Sequence, residues 1–368
     1  MYPDVFHRML VDQGFGPFTG VPCSFLKELI VHIERTDSAY YVATSEGEAM
    51  GIAGGLALAG KLPVVMMQND GYGNAINPLS SLQLLYVLPA LLLITWRAEP
   101  GGKRDAVQHH IMGRTLLDLL GIFDIPYQLL DDDEPAAQGQ LTDAKTYLEE
   151  QKKPYALIVR RGYFKAEPST GSKSSDVNRP LRIDFIKILA EEAAPSSIIL
   201  GTTGYTGREL KQVIARSGTF YTAGSMGCIG SIGLGIATQY PERRVYILDG
   251  DGALLMKMGT LATIGLYRPR NLVHTVFDNG QYESTGGQRT ASSIINIPAI
   301  AANSGYCYTT SISTLDEFRE FLNKAKSTPG PMMCHIKVQS GTIPDLVRPS
   351  ESPIMLRDQF MAFLTNDR

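Results

Sequence analysis

The sequence predicts an α/β protein built from two doubly wound parallel-sheet domains. Short apolar runs typical of β-strands alternate with helix-like segments in both halves of the chain, and a small, polar stretch separates the halves. Such alternation is typical of parallel sheets with helices on both faces. A length of 368 residues is enough for about two domains.

The first half, residues 1–167, contains strand-like runs that are short and rich in apolar residues. They cover residues 18–21, 40–43, 63–67, 90–94 and 155–159. Residues 168–180 are mostly small and polar, which predicts an exposed linker. The second half, residues 181–368, repeats the pattern, with runs at 197–200, 219–222, 245–248, 272–277 and 332–338.

A glycine recurs at every third position from Gly224 to Gly233, a spacing close to one face of a helix. Close helix packing is the favoured interpretation for Gly230, Gly233 and Gly235, because glycine is tolerated in a helix where another backbone approaches. The segment does not match a dinucleotide-binding fingerprint.

Composition argues against several classes of partner. The net charge of −3 and the scattered basic residues predict no nucleic-acid partner. The longest apolar stretch, residues 84–95, contains Pro89 and is too short to cross a bilayer, so no membrane partner is expected. Four cysteines without CxxC spacing, and an amino terminus without a signal-peptide pattern, favour a cytoplasmic location.

Two short motifs follow predicted strands of the second half. Gly250-Asp251-Gly252 comes after residues 245–248, and Asp278-Asn279-Gly280 comes after residues 272–277. The residues between the motifs are enough for one crossover helix and one strand, which would bring both motifs to the same sheet edge. Alone a GDG triplet is weak evidence, but this spacing and these oxygen ligands suit Mg²⁺ and a diphosphate.

In the first half, Glu46 follows residues 40–43 and stands in the first turn of a predicted helix. One interpretation, without any functional role, is that the negative charge of Glu46 complements the helix dipole. The pattern E-x-x-A-x-x-x-A-x-G-x-A, formed by Glu46, Ala49, Ala53, Gly55 and Ala57, resembles the activating-glutamate helix of thiamine diphosphate decarboxylases. Glu48 is either a neighbour of that site or a helix-surface charge.

The resemblance extends over nearly the whole chain. It is similar to the phosphonopyruvate and sulfopyruvate decarboxylases in segments 19–22, 45–49, 67–69, 71–79, 96–101, 108–109, 202–204, 224–227 and 284–288. The family implies a pyrimidine-binding domain followed by a diphosphate-binding domain, without a middle domain. It also implies thiamine diphosphate, Mg²⁺, a small 2-oxo acid substrate, and a homodimer or homotetramer with active sites at the subunit interface.

The resemblance assigns roles to individual residues. Glu46 and His109 are the catalytic candidates, and His110 is either a second one or structural. The metal ligands are Asp251, the side chain of Asn279 and the carbonyl of Gln281. Further cofactor-binding candidates are Asn69, Thr203, Gly204, Gly224, Met226, Gly250, Gly252 and Ala253.

A phosphonate or sulfonate substrate needs cations and hydrogen-bond donors. The candidates for substrate binding are Cys23, Asn74, Arg97 and Gln288, with Lys103, Arg104, Arg114 and Arg289 more often surface charges. Three positions depart from the family pattern: Cys23 stands where aspartate is frequent, Asp70 where serine is usual, and Arg289 where proline is common.

These departures leave alternatives open. The leading hypothesis is decarboxylation of 3-phosphonopyruvate to phosphonoacetaldehyde, and Cys23 favours sulfopyruvate as the alternative substrate. A carboligase and a non-catalytic cofactor-binding protein are further hypotheses. The combination of Glu46 with Asp251 and Asn279 argues against the last of these.

Overall fold

A computed structural model describes residues 1–166, 179–214, 216–347 and 351–365. The chain divides into two compact units. The first comprises Met1–Ser172 and the short segment Thr285–Gln288, and the second comprises Lys173–Ser284 and Arg289–Arg368. Most of the predicted linker, residues 168–178, lies outside the described residues.

The first unit is built on a six-stranded parallel sheet in the order β2-β1-β3-β4-β6-β5. Its strands are β1 (Phe15–Gly20), β2 (Tyr40–Val42), β3 (Leu62–Gln68), β4 (Leu91–Thr95), β5 (Tyr127–Leu129) and β6 (Tyr155–Val159). Its helices are α1 (Pro3–Asp12), α2 (Lys27–Ile33), α3 (Glu46–Leu58), α4 (Asn69–Pro78), α5 (His110–Ile122) and α6 (Glu134–Gln151), with a π-helical segment at Leu79–Leu84 and a 3₁₀ turn at Val107–His109.

Helices cover both faces of this sheet. Val64 and Met66 of β3 face a core shared with α1, α2 and α6, whereas Val65 and Met67 face a core shared with α3, α4 and α5. Successive side chains on a strand point to opposite faces, so a strand buried on both sides is a continuous apolar run.

The second unit repeats this architecture with the strand order β13-β14-β10-β9-β7-β8, all parallel. Its strands are β7 (Ile198–Gly201), β8 (Thr219–Tyr221), β9 (Val245–Gly250), β10 (Leu272–Asp278), β13 (Tyr308–Ile312) and β14 (Met332–Lys337), and β11 (Gln281–Tyr282) pairs with β12 (Gln288–Arg289) in a separate two-stranded sheet.

The helices of the second unit again flank two apolar cores, one on each face of the sheet. They are α7 (Arg182–Glu192), α8 (Tyr205–Val213), α9 (Ile229–Gln239), α10 (Asp251–Met256), α11 (Gly259–Tyr267), α12 (Ile297–Asn303), α13 (Leu315–Ser327) and α14 (Pro353–Thr365), with 3₁₀ turns at Glu283–Thr285 and Ala291–Ile294. The predicted fold class is therefore confirmed.

Each predicted run corresponds to a strand, but β5 and β13 of the six-stranded sheets and the short pair β11 and β12 were not predicted. The strand β5 is short and none of its residues is fully buried, and β13 has the polar sequence Tyr308-Thr309-Thr310-Ser311-Ile312. Both lie at the edges of their sheets, where a strand lacks the continuous apolar signal of a central one. The prediction of a single crossover helix between β9 and β10 was also wrong, because α10 and α11 share that connection.

The glycine-rich segment forms a helix only from Ile229 onwards. A Cβ atom at Gly230 would lie 2.9 Å from Thr260 Cγ2, and one at Gly233 would lie 2.3 Å from Ile247 Cδ1. These contacts confirm close packing at both positions, although the neighbouring atoms belong to side chains and not to another backbone. Gly235 is exposed, with nothing within 4 Å of an added Cβ, so the packing interpretation was wrong there.

None of the helices within the described ranges combines the length and the hydrophobicity needed to span a membrane.

Candidate active site

Glu46 is buried at the start of α3, with 5% of its surface exposed. The helix begins there because Ser45 accepts a hydrogen bond from the Glu48 amide as the N-cap. Asn74 Nδ2 donates to Glu46 Oε2 at 2.9 Å. A Cβ atom at Gly71 would lie 2.2 Å from Glu46 Oε1, so the carboxylate needs a glycine at that position of α4.

The first turn of α4 also contacts the histidine that the sequence singled out. Asp70 Oδ2 lies 2.6 Å from Nδ1 of His109, which is buried at the end of the 3₁₀ turn before α5. The same Asp70 oxygen accepts a hydrogen bond from Gln68 Nε2 at 2.8 Å. In contrast, His110 is exposed and its Nε2 lies 3.3 Å from the Asp105 carbonyl.

Asn69 joins the ends of β3 and β4. Its Nδ2 donates to the Arg97 carbonyl at 3.0 Å, and its Oδ1 accepts from the Arg97 amide at 3.1 Å. Both ends of the amide are therefore engaged with the backbone of Arg97, which the sequence selected as a substrate-binding candidate.

Arg97 forms a two-pronged ion pair with Asp105, with both N···O distances at 2.6 Å. Arg161 also reaches Asp105, at 2.8 Å, and the guanidinium carbons of both arginines lie 5.0 and 5.3 Å from the centre of the Phe25 ring. Burial opposes ionisation of Asp105, but hydrogen bonds from Arg97 and the Ala106 amide outweigh it and hold the pKa of Asp105 well below its usual range. Two cations thus share one carboxylate.

The remaining candidates of the first unit differ in exposure. Cys23 is buried, its Sγ lies 3.5 Å from Thr95 Oγ1, and burial raises the pKa of the thiol. Asn74 is exposed apart from its bond to Glu46. Lys103, Arg104 and Arg114 are exposed, which agrees with their interpretation as surface charges.

In the second unit, β9 and β10 are neighbours, and Gly250 pairs with Phe277 in their register. Asp251 begins α10, and Asp278 ends β10. The two aspartate-containing motifs therefore meet at the carboxyl edge of the sheet, as their spacing predicted. The backbone is crowded there, because a Cβ atom at Gly252 would lie 2.6 Å from the Tyr282 ring.

The two aspartates at this edge have opposite electrostatic environments. Asp251 accepts a hydrogen bond from Thr290 Oγ1 at 2.5 Å, and burial followed by repulsion from Asp278 raises its pKa. Asp278 accepts hydrogen bonds from His335 Nε2 at 2.8 Å and Lys337 Nζ at 2.5 Å. Although burial opposes its ionisation, these bonds and one from Ser292 hold the pKa of Asp278 below its usual range. Asp278 is therefore ionised, and the adjacent Lys337 ammonium balances its negative charge.

Asn279 is held by its own loop. Its Nδ2 donates to Glu283 Oε2 at 3.0 Å, and its Oδ1 accepts from the Gln281 amide at 3.0 Å. Glu283 Oε2 also lies 3.4 Å from Arg182, whose guanidinium forms a buried, two-pronged pair with Glu209 at 2.7 and 3.1 Å. A buried charge network thus orients the Asn279 amide.

The other cofactor candidates of this unit follow the carboxyl ends of β7 and β8 in the same sheet. Thr203 Oγ1 donates to the Ala223 carbonyl at 2.9 Å, and Gly204 is the N-cap of α8 with a φ of 83°. Gly224 and Met226 are half-buried in the turn before α9. The substrate-binding candidate Gln288 is buried in β12, and its Nε2 has no hydrogen-bond partner among the described residues. Arg289, which follows it, is exposed.

Comparison with known proteins identifies the family of the chain. The family described as "Thiamine pyrophosphate enzyme, N-terminal TPP binding domain" matches residues 2–115, and its C-terminal TPP binding counterpart matches residues 202–336. The chain is 37% identical to a phosphonopyruvate decarboxylase of Streptomyces viridochromogenes, over 97% of this chain and 93% of the relative. The chain belongs to the phosphonopyruvate and sulfopyruvate decarboxylase family.

Two further relatives of this decarboxylase family match at similar coverage. A phosphonopyruvate decarboxylase of Streptomyces hygroscopicus is 37% identical over 97% of this chain and 92% of its own length. A sulfopyruvate decarboxylase of Methanosarcina acetivorans is 29% identical over 91% of this chain and 90% of its own length. The chain is thus a thiamine diphosphate enzyme of the carboxy-lyase class.

The residues of the second unit fit the cofactor of this family. Asp251, Asn279 and the Gln281 carbonyl are oxygen donors of the kind that Mg²⁺ prefers. Asp251 is buried without an ion-pair partner in the described part of the chain, so a divalent cation would supply the missing positive charge. The hydroxyls of Thr202 and Thr222, at the ends of β7 and β8, are buried and have no hydrogen-bond partner among the described residues, which suits a polar ligand.

Several residues that surround these candidate site residues were not selected from the sequence. They are Arg161 beside Arg97, and Arg182, Glu209, Glu283, Thr290, Ser292, His335 and Lys337 around the two aspartates. One signal was available: His335 and Lys337 are two residues apart in an otherwise apolar strand, a spacing that places both side chains on one face of the sheet. The others depend on contacts between distant segments.

Proposed function

We propose that this chain decarboxylates 3-phosphonopyruvate to phosphonoacetaldehyde and CO₂, using thiamine diphosphate and Mg²⁺. The observation that carries the proposal is the buried Glu46 carboxylate, fitted against Gly71 and bonded by Asn74, in a chain with both cofactor-domain matches. Among the relatives that match more than 90% of the chain, the phosphonopyruvate decarboxylases are 37% identical and the sulfopyruvate decarboxylase of Methanosarcina acetivorans is 29% identical, which favours the phosphonate substrate.

The cofactor would be held by residues of both units. Asp251, Asn279 and the Gln281 carbonyl would bind Mg²⁺, and the diphosphate would contact Gly250, Gly252, Ala253, Thr203 and Gly204. Gly224 and Met226 would contact the cofactor rings, and Glu46 would bond a ring nitrogen of the pyrimidine. When bound, thiamine diphosphate supplies the nucleophilic carbon and the electron sink for loss of CO₂.

The substrate would be recognised in the first unit. Arg97 and Arg161 share the single carboxylate of Asp105, so this cluster keeps a net positive charge that suits a phosphonate. Asn74 and Gln288 would offer hydrogen bonds, and Cys23 would form an apolar wall. His109 would carry the proton that replaces CO₂ on the substrate carbon.

We infer that the working enzyme is a homodimer or homotetramer in the cytoplasm. In the dimer, the first unit of one copy and the second unit of another copy would complete each cofactor site. Three consecutive exposed apolar residues support association, since Leu85, Tyr86 and Val87 are 67%, 65% and 43% exposed. The free cysteines suit a reducing compartment.

The decisive experiment measures kcat/KM for phosphonopyruvate, sulfopyruvate and pyruvate with the purified chain, Mg²⁺ and thiamine diphosphate. We expect phosphonopyruvate to give the highest value and free aldehyde as the product. A higher value for sulfopyruvate would replace the proposed substrate, and a hydroxyketone product would indicate a carboligase.

Two variants test the site itself. Glu46→Gln should retain cofactor binding in calorimetry but lose most turnover, whereas Asp251→Ala should lose Mg²⁺-dependent cofactor binding. Glu48→Gln is the matched control, because the Glu48 carboxylate is exposed and bonded to Thr44. Full activity in both site variants would refute the assignment.

Sulfopyruvate is the second candidate substrate. Cys23 and the relative from Methanosarcina acetivorans favour it. A sulfonate carries one negative charge fewer than a fully ionised phosphonate, so replacing Arg161 with Gln should reduce kcat/KM more for phosphonopyruvate than for sulfopyruvate.

A further inference from the structure

We propose that Asp70 is a positioning residue for His109: its carboxylate binds Nδ1 of the imidazole, so that Nε2 is the nitrogen that transfers a proton to the substrate. This inference rests on the proposed decarboxylation, and it adds a residue and an assignment of nitrogen atoms to it.

The contact between the Asp70 and His109 side chains is short, and a third side chain holds the Asp70 carboxylate in place. Asp70 Oδ2 lies 2.6 Å from His109 Nδ1, and Gln68 Nε2 donates to the same oxygen at 2.8 Å. An ionised carboxylate only accepts hydrogen bonds, so Nδ1 carries the proton in the neutral ring. Within the ranges that the structure describes, His109 Nε2 forms no hydrogen bond, so it is the ring nitrogen left to take up a proton and to release it to the substrate.

The position of the pair connects it to the proposed catalytic carboxylate. Asp70 and Gly71 are consecutive in the first turn of α4. Gly71 lies against the Glu46 carboxylate, and Asn74 of the same helix donates to it. One helix therefore contacts Glu46 directly and His109 through Asp70, which places both groups at the same side of the first unit.

Other candidate polar groups of the first unit do not substitute for Asp70. The Cys23 thiol contacts Thr95 and is kept protonated by burial, which raises its pKa. The Glu48 carboxylate is bonded to Thr44, and His110 is exposed. Among the described residues, Asp70 is the carboxylate in ion-pair contact with the His109 ring.

The proposed proton transfer is balanced. His109 starts as an imidazolium, whose positive charge Asp70 offsets. The Nε2–H bond breaks and leaves its electron pair on Nε2, while the electron pair that remains after CO₂ departs forms the new C–H bond. The ring ends neutral, with its remaining proton on Nδ1 facing Asp70.

The first test is independent of activity. Nitrogen-15 NMR of labelled protein, at a pH at which the ring is neutral, reports which nitrogen carries the proton, and His109→Gln identifies the signal. We expect the Nδ1–H tautomer in the wild type and a shift towards Nε2–H in Asp70→Ala. Asp143→Asn is the matched control, because that carboxylate also accepts from a glutamine Nε2, at 3.2 Å, but lies on α6.

The second test separates positioning from folding. Asp70→Ala should lower kcat by about 10- to 100-fold with KM changed by no more than about twofold. In the His109→Gln background the same change should have no further effect, because the group it positions is gone. An unchanged tautomer, or equal losses with and without His109, would overturn the inference. A wild type without decarboxylase activity would instead refute the proposed function, while the NMR result would still test the Asp70–His109 pairing.

Discussion

The position of the Glu46 carboxylate depends on a residue without a side chain. An alanine Cβ at position 71 would lie 2.2 Å from Glu46 Oε1 and 2.5 Å from its carboxyl carbon, so the carboxylate would have to move. Gly73 lies on the same helix, and nothing lies within 4 Å of a Cβ added there. These two glycines therefore form a natural comparison.

We expect Gly71→Ala to lower kcat by about 10- to 100-fold, because a displacement of about 1 Å is costly at a reacting group. Gly73→Ala should retain near wild-type turnover. Steady-state kinetics of the two variants, with melting temperatures to confirm folding, provide the check. Equal activity would show that the Glu46 carboxylate tolerates displacement.

The Asn279 side chain depends on Glu283, which is itself bonded to Arg182 and to the Gly341 amide. Glu283→Ala should raise the Kd for Mg²⁺ by about 10- to 100-fold, since residues that orient a metal ligand contribute that much to affinity. Calorimetric titration of Mg²⁺ in the presence of thiamine diphosphate measures this. Glu242→Ala, at an exposed position, is the control, and an unchanged Kd in Glu283→Ala would contradict the positioning role.

Asp105 ties together the segment between Arg97 and His109, because it accepts hydrogen bonds from the Arg97 side chain and from the Ala98 and Ala106 amides. Removing one partner of a buried ion pair leaves the other uncompensated. Asp105→Asn should therefore lower the free energy of unfolding at pH 7 by about 3 kcal/mol.

The pH dependence of this loss has a defined sign. The pKa of folded Asp105 lies below its ordinary value of 3.8, so its stabilising effect is present above that value and is lost as the pH falls towards the folded pKa. The difference between wild type and Asp105→Asn should be largest near neutral pH and shrink below about pH 4. Denaturant unfolding at several pH values measures it, and a constant difference would contradict the assigned charge state.

At the scale of elements, α5 positions the segment that carries Arg97. Trp96 Nε1 donates to the Gly113 carbonyl at 2.6 Å, and a Cβ atom at Gly113 would lie 2.2 Å from the Ala98 carbonyl oxygen. The contact is with backbone, which cannot rotate away. Gly121, on the same helix, has nothing within 4 Å of an added Cβ.

Gly113→Ala should therefore destabilise the protein by about 1–3 kcal/mol through overpacking. Gly121→Ala should stabilise it by up to about 1 kcal/mol, because alanine has the higher helix propensity. Chemical denaturation of both variants measures the difference. Similar values for the two would show that α5 moves away from the Arg97 segment without cost.

For the whole molecule, the proposed assembly makes cofactor binding depend on association between copies. Tyr86→Glu introduces a charge into the exposed apolar segment of Leu85, Tyr86 and Val87, and should shift the protein towards monomer and weaken thiamine diphosphate binding. Light scattering after size-exclusion chromatography and calorimetry measure the two effects. Val11→Glu, at an exposed apolar position of α1, is the control, and a monomeric Tyr86→Glu variant with unchanged cofactor affinity would refute the interdependence.

Local sequence was sufficient for the fold class and for one edge of the candidate site. Central strands are buried on both faces, so they appear as continuous apolar runs, and the carboxyl ends of β9 and β10 must meet because parallel neighbours end at the same edge. For the same reason Asp251 and Asn279 could be selected in advance, and Glu46 could be placed at a helix start.

Tertiary structure alone decided which charges are paired and which are free. Arg97 was selected as a substrate-binding cation, yet it is paired with Asp105, eight residues further along the chain, and its proximity to Arg161 depends on a segment far away in sequence. The same holds for Asp70 with His109 and for Glu283 with Arg182. Side-chain ion pairs have no periodic signature along the chain, whereas burial does, so the sequence determined the layers of this protein and only folding determined its electrostatic partners.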